Sequence, residues 1–294
     1  MKYKNILETI GDTPIVELKS FSPNSKVKIF AKLEGNNPSG SIKDRVALYM
    51  IKDALRSGLL KNNQELIEAT SGNTGIAMAM VAGIFGIKFT AVMSENVSLE
   101  RKKLLSAYGA NIILTDGEKG TNNAIDVAKR IVNENNEKYL MLDQFSNPAN
   151  VLAHYETTGK ELVRDIPRIT HFVAGMGTGG TLMGVRNRLK EFNKNIKIIG
   201  VEPKAFSKIQ GLRNMKAYTP PIFDETKLDS KLFIDNDDIA FKLAKELFIR
   251  EGISVGISSG AALWGAMEIA KTIKSGTIVV IFPDKGDKYL SVGW

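Results

Sequence analysis

Apolar and polar residues along the chain follow two periods, and the pattern predicts a regular succession of strands and helices. Short apolar runs predict strands at 27–33, 66–69, 88–93, 111–115, 139–143, 171–175, 196–201 and 277–281. Apolar residues spaced as on one helix face predict helices at 74–85, 99–108, 122–133, 154–165, 181–192, 239–250 and 261–273. A further helix is predicted to begin near Lys43.

This alternation predicts an α/β protein with mostly parallel sheets, because parallel strands need helical crossovers to connect them. The turn-forming stretch Asn147-Pro148-Ala149-Asn150 separates an earlier series of elements from a later one. We therefore expect two three-layer α/β lobes, residues 1–148 and 149–294, with residues 13–34 packing against the second lobe. Ligands are expected in the cleft beyond the carboxyl ends of the strands.

Lys43 stands at the start of a predicted helix, directly after a sharp turn containing Pro38 and Gly40. The apolar stripe of this helix is predicted at Val46, Met50, Ile51 and Leu55. The positive end of a helix disfavours an ammonium ion and so lowers the pKa of the Lys43 amine. A partly neutral amine can attack a carbonyl and form a Schiff base. The alternative is an ordinary surface lysine.

Two strand-to-helix turns are rich in glycine and hydroxyl residues. The turn at 175–181, Gly-Met-Gly-Thr-Gly-Gly-Thr, can hold a phosphate on its backbone amides. It also matches G-x-G-x-x-G, with Glu202 at the end of the next strand, which keeps a dinucleotide ligand as an alternative. The turn at 70–75, Thr-Ser-Gly-Asn-Thr-Gly, offers hydroxyl and amide groups to a carboxylate, or simply caps a helix.

Together, a lysine placed for imine formation, a phosphate site and a carboxylate site match what pyridoxal phosphate needs to process an amino acid. A dinucleotide would leave Lys43 without a role.

Composition narrows the classes of function. The 294 residues include no cysteine and only His154 and His171, which excludes disulfides and thiolate chemistry and argues against a metal site. The formal charge of +8 is spread along the chain, so we do not expect nucleic-acid binding. No apolar run approaches the roughly 20 residues of a membrane span, and the start lacks a signal peptide. A soluble cytoplasmic protein is expected.

Several long motifs occur in the order found in a known family. They are Thr9-Ile10-Gly11-Asp12-Thr13-Pro14, Leu33-Glu34-Gly35-Asn36-Asn37-Pro38, Glu68-Ala69-Thr70-Ser71-Gly72-Asn73-Thr74-Gly75, Ile209-Gln210-Gly211-Leu212-Arg213 and Asp284-Lys285-Gly286-Asp287. With them the chain resembles the pyridoxal-phosphate enzymes of fold type II, which share the tryptophan synthase β fold. Within that family it is most similar to the B branch of the cysteine synthases.

The resemblance implies a role for each matching residue. Lys43 would hold the cofactor as a Schiff base and take the substrate α-proton, and Asn73 would bond the ring 3′ oxygen. The other residues implied to bind the cofactor are Gly177, Thr178, Gly179, Gly180, Thr181 and Ser258. The residues implied to bind the substrate are Thr70, Ser71, Thr74, Gln144 and Gly211.

The resemblance also bears on the pyridine nitrogen of the cofactor. Many relatives place a serine beside it where this chain has Lys285, and an ammonium offers no lone pair. We therefore expect Lys285 to turn outward and Ser258 to take this place, with Asp284 as the second candidate.

The function implied is β-replacement through an aminoacrylate, in which sulfide and O-acetyl-L-serine or O-phospho-L-serine give L-cysteine. Arg213 would attract an anionic leaving group. An alternative enzyme would act on L-cysteine, release hydrogen sulfide and form serine, lanthionine or cystathionine, with carboxylates of segment 224–229 as a base. A silent cofactor-binding scaffold is a lesser alternative. A homodimer is implied by the resemblance only.

Overall fold

A computed structural model describes residues 2–70 and 72–292 and contains two sheets in these residues. The strands are β1 (Ile15–Glu17), β2 (Val27–Leu33), β3 (Glu65–Ala69), β4 (Phe89–Ser94), β5 (Asn111–Thr115), β6 (Tyr139–Met141), β7 (His171–Gly175), β8 (Lys197–Pro203), β9 (Ser230–Ile234) and β10 (Gly276–Phe282). The larger sheet has six strands in the order β1-β2-β10-β7-β8-β9, and the smaller has four in the order β5-β4-β3-β6. Only the β1–β2 pair is antiparallel among the strand pairs described.

Helices cover both faces of both sheets. They are α1 (Lys43–Arg56), α2 (Asn73–Ile84), α3 (Leu99–Ala107), α4 (Gly120–Glu134), α5 (Pro148–Ala153), α6 (Gly159–Asp165), α7 (Gly180–Phe192), α8 (Asp237–Glu251) and α9 (Ile257–Thr272). In β7, Val173 faces the core under α8 and α9, whereas Phe172 and Ala174 face the core under α6 and α7. In β3, Leu66 packs with α1 and α2, and Ile67 packs with α4.

This packing explains the near-continuous apolar runs, since the central strands β3, β4, β7, β8 and β10 are buried on both faces over most of their length. The α/β fold class with two three-layer units of mostly parallel strands is confirmed.

Some local predictions were wrong or incomplete. The stretch 147–150 is not a turn, because α5 begins at Pro148 and the Asn147 side chain caps it by accepting a hydrogen bond from the Ala149 N–H. The predicted helix at 154–165 opens with a π-helical turn, His154–Thr158, before α6. Leu55 is 40% exposed, and Ala54 takes the buried position on α1. The short strands β1 and β9 were not predicted.

The β1–β2 pair lies in the larger sheet, because β2 pairs in parallel with β10 along its whole length. A lobe boundary near residue 148 stays a prediction. No helix among the described residues is both long and apolar enough to cross a membrane.

A buried ionic cluster ties the segment after β2 to two helices. The guanidinium of Arg45 bonds the carboxylates of Glu34, at 2.7 Å, and Glu161, at 2.5 Å. Lys32 reaches Glu161 at 2.6 Å and the Thr13 carbonyl at 2.7 Å. Arg45, Glu34 and Lys32 are all fully buried. The cluster therefore joins α1, α6 and the start of the chain at one point.

Candidate active site

A cavity of about 320 Å³ opens between the two sheets, beyond the carboxyl ends of their parallel strands. The predicted site residues that line it are Lys43, Asn73, Thr74, Gln144, Gly177, Thr178, Gly179, Thr181, Gly211 and Ser258. Thr70 and Gly180 are predicted site residues outside this lining, and Ser71 lies outside the described residues. Residues from both halves of the chain thus surround one space.

Lys43 begins α1 and opens into this cavity. The turn before it is held on the other sheet, because the Ile42 N–H donates to the Pro283 carbonyl at 2.8 Å, directly after β10. The Ser41 hydroxyl accepts the Lys43 N–H at 3.3 Å, whereas Ile42 occupies the N-cap position of α1 and its side chain makes no capping hydrogen bond. Burial lowers the pKa of the Lys43 amine from 10.5 to about 8, and the charge of Asp284 opposes the shift. Desolvation is thus the main cause of the lowered pKa.

The glycine-rich turn before α7 has little room for side chains. Gly179 adopts a φ of +86°, and a Cβ there would lie 2.6 Å from Phe223. A Cβ on Gly177 would meet the Gly211 carbonyl at 2.8 Å, and one on Gly180 would meet Asn150 at 2.0 Å. Glycine is therefore required along this turn, and its bare backbone can approach an anion closely.

Hydroxyl groups on the same turn are held by buried partners. Thr178 accepts a hydrogen bond from the Asn150 amide at 3.0 Å. The Thr181 hydroxyl lies 3.2 Å from His154 Nε2, and His154 Nδ1 lies 3.0 Å from the Thr158 hydroxyl. Burial lowers the pKa of His154 well below 6.5, so the ring is neutral at pH 7. No role was predicted for His154 from the sequence, because its partner on the cavity wall, Thr181, lies 27 positions further along the chain.

Thr74 and Gln144 meet on the opposite wall. The Thr74 hydroxyl donates to Gln144 Oε1 at 2.7 Å, and Gln144 Nε2 donates to the Ala69 carbonyl at 3.1 Å. Thr70 supports the start of α2 from below, because its hydroxyl accepts the N–H groups of Gly72 and Gly75 at 3.0 and 2.9 Å. Thr70 therefore shapes the carboxylate turn from behind the cavity wall.

Glu68 holds the Gln144 turn in place from within β3. Its carboxyl oxygens accept the backbone N–H groups of Asp143, at 3.0 Å, and Gln144, at 3.2 Å. Asp143 has a φ of +51°, which a non-glycine residue rarely adopts, so the turn needs such support. Glu68 is fully buried, and the resulting desolvation raises the pKa of its carboxyl from 4.5 to about 8.

This shift makes a testable prediction for stability. Glu68 keeps its proton in the folded state but loses it in the unfolded chain between pH 4.5 and about 8. Its contribution to the free energy of unfolding is complete below pH 4.5 and falls by up to about 1.4 kcal/mol per pH unit above it. Glu68→Gln keeps a neutral group, so urea denaturation at several pH values should show a flatter profile for the variant. Parallel profiles for both proteins would contradict the assignment.

Comparison with known proteins agrees with this geometry. The family described as pyridoxal-phosphate dependent enzyme matches residues 6–284. The chain belongs to this family of pyridoxal-phosphate dependent enzymes.

Individual relatives cover nearly the whole chain. Cysteine synthase of Aquifex aeolicus is 49% identical over 98% of this chain and 91% of its own length. Cysteine synthase B of Salmonella typhimurium is 46% identical over 98% and 95%. The crystal structure of a hydrogen sulfide-producing enzyme from Fusobacterium nucleatum has a TM-score of 0.93 and 38% identity, covering 98% of this chain and 100% of that one. The resemblance to the cysteine synthases and their B branch is confirmed.

The cavity fits the cofactor that this family requires. A partly desolvated lysine faces it from one side, and a turn whose glycines leave no space for Cβ atoms faces it from the other. The dinucleotide alternative is wrong, because Glu202 does not reach the cavity. Its carboxylate instead accepts the Met215 N–H at 2.7 Å and pairs with Lys231 at 2.9 Å.

The candidates for the pyridine nitrogen occupy different positions. Ser258, near the start of α9, lines the cavity. Asp284 does not, and its Oδ2 accepts hydrogen bonds from Asn73 Nδ2 and the Tyr289 hydroxyl, both at 2.6 Å. Lys285 is exposed, as expected. This arrangement favours Ser258.

Of the two predicted aids to substrate chemistry, Arg213 lines the cavity and segment 224–229 does not. Arg213 lines it, donates to Asn122 at 3.0 Å, and lies 4.9 Å from the ring centres of Phe145 and Tyr218. Segment 224–229 does not line it: Asp224 caps its own turn, and Glu225 pairs with Lys231 at 2.8 Å.

The lowered pKa of Lys43 makes a prediction for cofactor capture. Only the neutral amine attacks the aldehyde, and half of the Lys43 side chains are neutral near pH 8. Mixing the apoprotein with pyridoxal phosphate at different pH values should give a capture rate that rises with pH and levels off above about 8. A rate still rising steeply beyond pH 9.5 would show that Lys43 behaves as an ordinary lysine.

Proposed function

We propose that this enzyme is a cysteine synthase that replaces the β-substituent of O-acetyl-L-serine or O-phospho-L-serine with sulfide. The observation that carries the proposal is the meeting of Lys43, the Thr74–Gln144 pair and the 177–181 turn around one cavity. The two cysteine synthases that match along nearly their whole length support the same reaction.

Residues of this chain would divide the work as follows. The backbone of the 177–181 turn, with Thr178 and Thr181, would bind the cofactor phosphate. Asn73 would donate to the ring oxygen, and Ser258 would face the ring nitrogen. When bound, the cofactor supplies an electron sink for the charge that develops on the substrate α-carbon.

Lys43 Nζ would take the substrate α-proton, since desolvation leaves this amine partly neutral near pH 8. Thr74, Gln144 and the turn at 70–75 would hold the substrate carboxylate at the start of α2, where backbone N–H groups favour an anion. Fixing the carboxylate aims the Cα–H bond at Lys43 Nζ. Gly211 would line the substrate side, and Arg213 would face the leaving group.

A product screen tests the proposal. Purified enzyme is incubated with O-acetyl-L-serine, O-phospho-L-serine or L-cysteine, each with and without sulfide, and amino-acid products are separated chromatographically. L-cysteine from an activated serine plus sulfide is the expected result, and the better donor identifies the leaving group. Absence of L-cysteine with both donors would overturn the assignment.

A second candidate function is release of hydrogen sulfide from L-cysteine. The observation in its favour is the structural likeness to the hydrogen sulfide-producing enzyme from Fusobacterium nucleatum. The position of segment 224–229, away from the cavity lining, removes the base suggested for it. Sulfide release from L-cysteine alone, at a rate above that of cysteine formation, would favour this candidate.

The proposal also covers the oligomeric state, the cellular location and the partners of the enzyme. A homodimer, a cytoplasmic location and the absence of nucleic-acid and membrane partners stay predictions. Sedimentation equilibrium of the purified protein measures the first directly.

A further inference from the structure

Lys288 is a buried lysine that the proposed reaction does not use. It lies in the last turn described, Gly286–Val292, and only 2% of its surface is exposed. Its Nζ donates a hydrogen bond to Asn73 Oδ1 at 3.1 Å. A Cβ on Gly40 would lie 3.3 Å from the same Nζ, so Lys288 also packs against the turn that carries Lys43. A buried charge in such a place needs an explanation.

Asn73 has its amide held from both ends. Its Oδ1 accepts from Lys288, and its Nδ2 donates to Asp284 Oδ2 at 2.6 Å. An ammonium can only donate and a carboxylate can only accept, so this pair of partners permits one orientation of the amide. The reversed amide would point its NH₂ group at the ammonium and its oxygen at the carboxylate. Asn73 also lines the cavity, and an amide Nδ2 carries two hydrogens, so in this orientation the amide presents its donor end to Asp284 and to the space beside it.

Further hydrogen bonds hold Asp284 and Lys288, the two partners of the Asn73 amide, in place. The Tyr289 hydroxyl donates to Asp284 Oδ2 at 2.6 Å, which fixes that carboxylate. The Ser98 hydroxyl donates to the Lys288 carbonyl at 2.8 Å, which fastens the last turn to the start of α3. Burial lowers the pKa of Lys288 from its usual 10.5, with Arg101 acting in the same direction, whereas the charges of Asp284, Asp44 and Asp287 oppose the shift and favour the ammonium form.

We propose that Lys288 is a positioning residue for the cofactor, which fixes the Asn73 amide so that an Nδ2–H group is available to the ring oxygen. The inference rests on the proposed function, because it assigns the ring oxygen to Asn73. In its charged resting form this oxygen is an acceptor, so an amide presented oxygen-first would repel it. The turn Gly286–Val292 thereby takes part in cofactor binding without touching the cofactor.

The test uses Lys288→Met in the holoenzyme, which removes the donor but keeps much of the side-chain volume. We expect cofactor dissociation to be about tenfold more favourable, a change of about 1.4 kcal/mol, and the absorbance band of the bound cofactor to shift. Lys288→Arg keeps a donor and should restore both properties in large part. Lys285→Met, directly before this turn and exposed, is the matched control and should match the wild type.

A double-mutant cycle shows whether Lys288 affects cofactor affinity through Asn73 or independently of it. If Lys288 acts through Asn73, then adding Lys288→Met to Asn73→Ala should change cofactor affinity by less than about twofold. Additive losses in the double variant would overturn the inference. So would a Lys288→Met holoenzyme with wild-type affinity and absorbance.

Lys288→Gln replaces Lys288→Met in the cycle if circular dichroism shows that the methionine variant does not fold. Failure of the proposed function has a different signature, because the wild-type protein itself would then take up no pyridoxal phosphate.

Discussion

Lys43→Ala is expected to lower the rate of cysteine formation by at least about a thousandfold, because it removes both the covalent anchor of the cofactor and the base for the α-proton. No other lysine lines the cavity among the described residues. Steady-state assays with sulfide and the better donor from the product screen measure the loss.

A chemical label tests the same claim independently. Borohydride treatment of the wild-type holoenzyme, followed by peptide mapping, should place the reduced cofactor on the peptide containing Lys43. Lys52→Ala changes an exposed lysine on the same helix and should leave rate and labelling unchanged. A label on another side chain, or a Lys43→Ala enzyme within tenfold of wild type, would contradict the assignment.

Arg45→Met should lower the free energy of unfolding by about 3–5 kcal/mol. Arg45 is fully buried and contacts the carboxylates of Glu34 and Glu161. Methionine would fill much of the space, but it would leave Glu34 without a cationic partner and Glu161 with Lys32 alone. Burying a carboxylate without such compensation is costly. Urea denaturation monitored by circular dichroism measures the change.

The same experiment has a control on the same helix. Arg56 lies in the last turn of α1 and is exposed, so Arg56→Met should change stability by no more than about 0.5 kcal/mol. Equal losses for the two variants would mean that the ionic cluster is not what stabilises this part of the fold.

Local sequence patterns predicted the parts of the fold that depend on near neighbours. The strand at 27–33 and the helix that starts at Lys43 follow from periodicity and turn residues, and both occur in the structure. Leu55 was misplaced because the apolar stripe of α1 turns toward Ala54 in its last turn. The short edge strand β9, with its mixed burial, lacked a run long enough to recognise.

Supporting residues were missed because their partners are distant in sequence. Lys288 and Asn73 are 215 positions apart, and Glu68 and Asp143 are 75 apart. No periodicity connects such pairs, since only tertiary folding brings them together. Motif resemblance predicted the residues that are expected to contact the ligand. The residues that orient them became evident only in the folded structure.

The pairing of β2 with β10 has a consequence for biosynthesis. Val27 and Gly276 are partners in register, so the larger sheet cannot be completed until β10 has been made. At about 5–20 residues per second, β2 would leave the ribosome roughly 10–50 s before β10. During that interval its buried residues Val27, Ile29 and Ala31 lack their parallel neighbour. Nascent chains of this enzyme should therefore engage holdase chaperones until β10 has emerged.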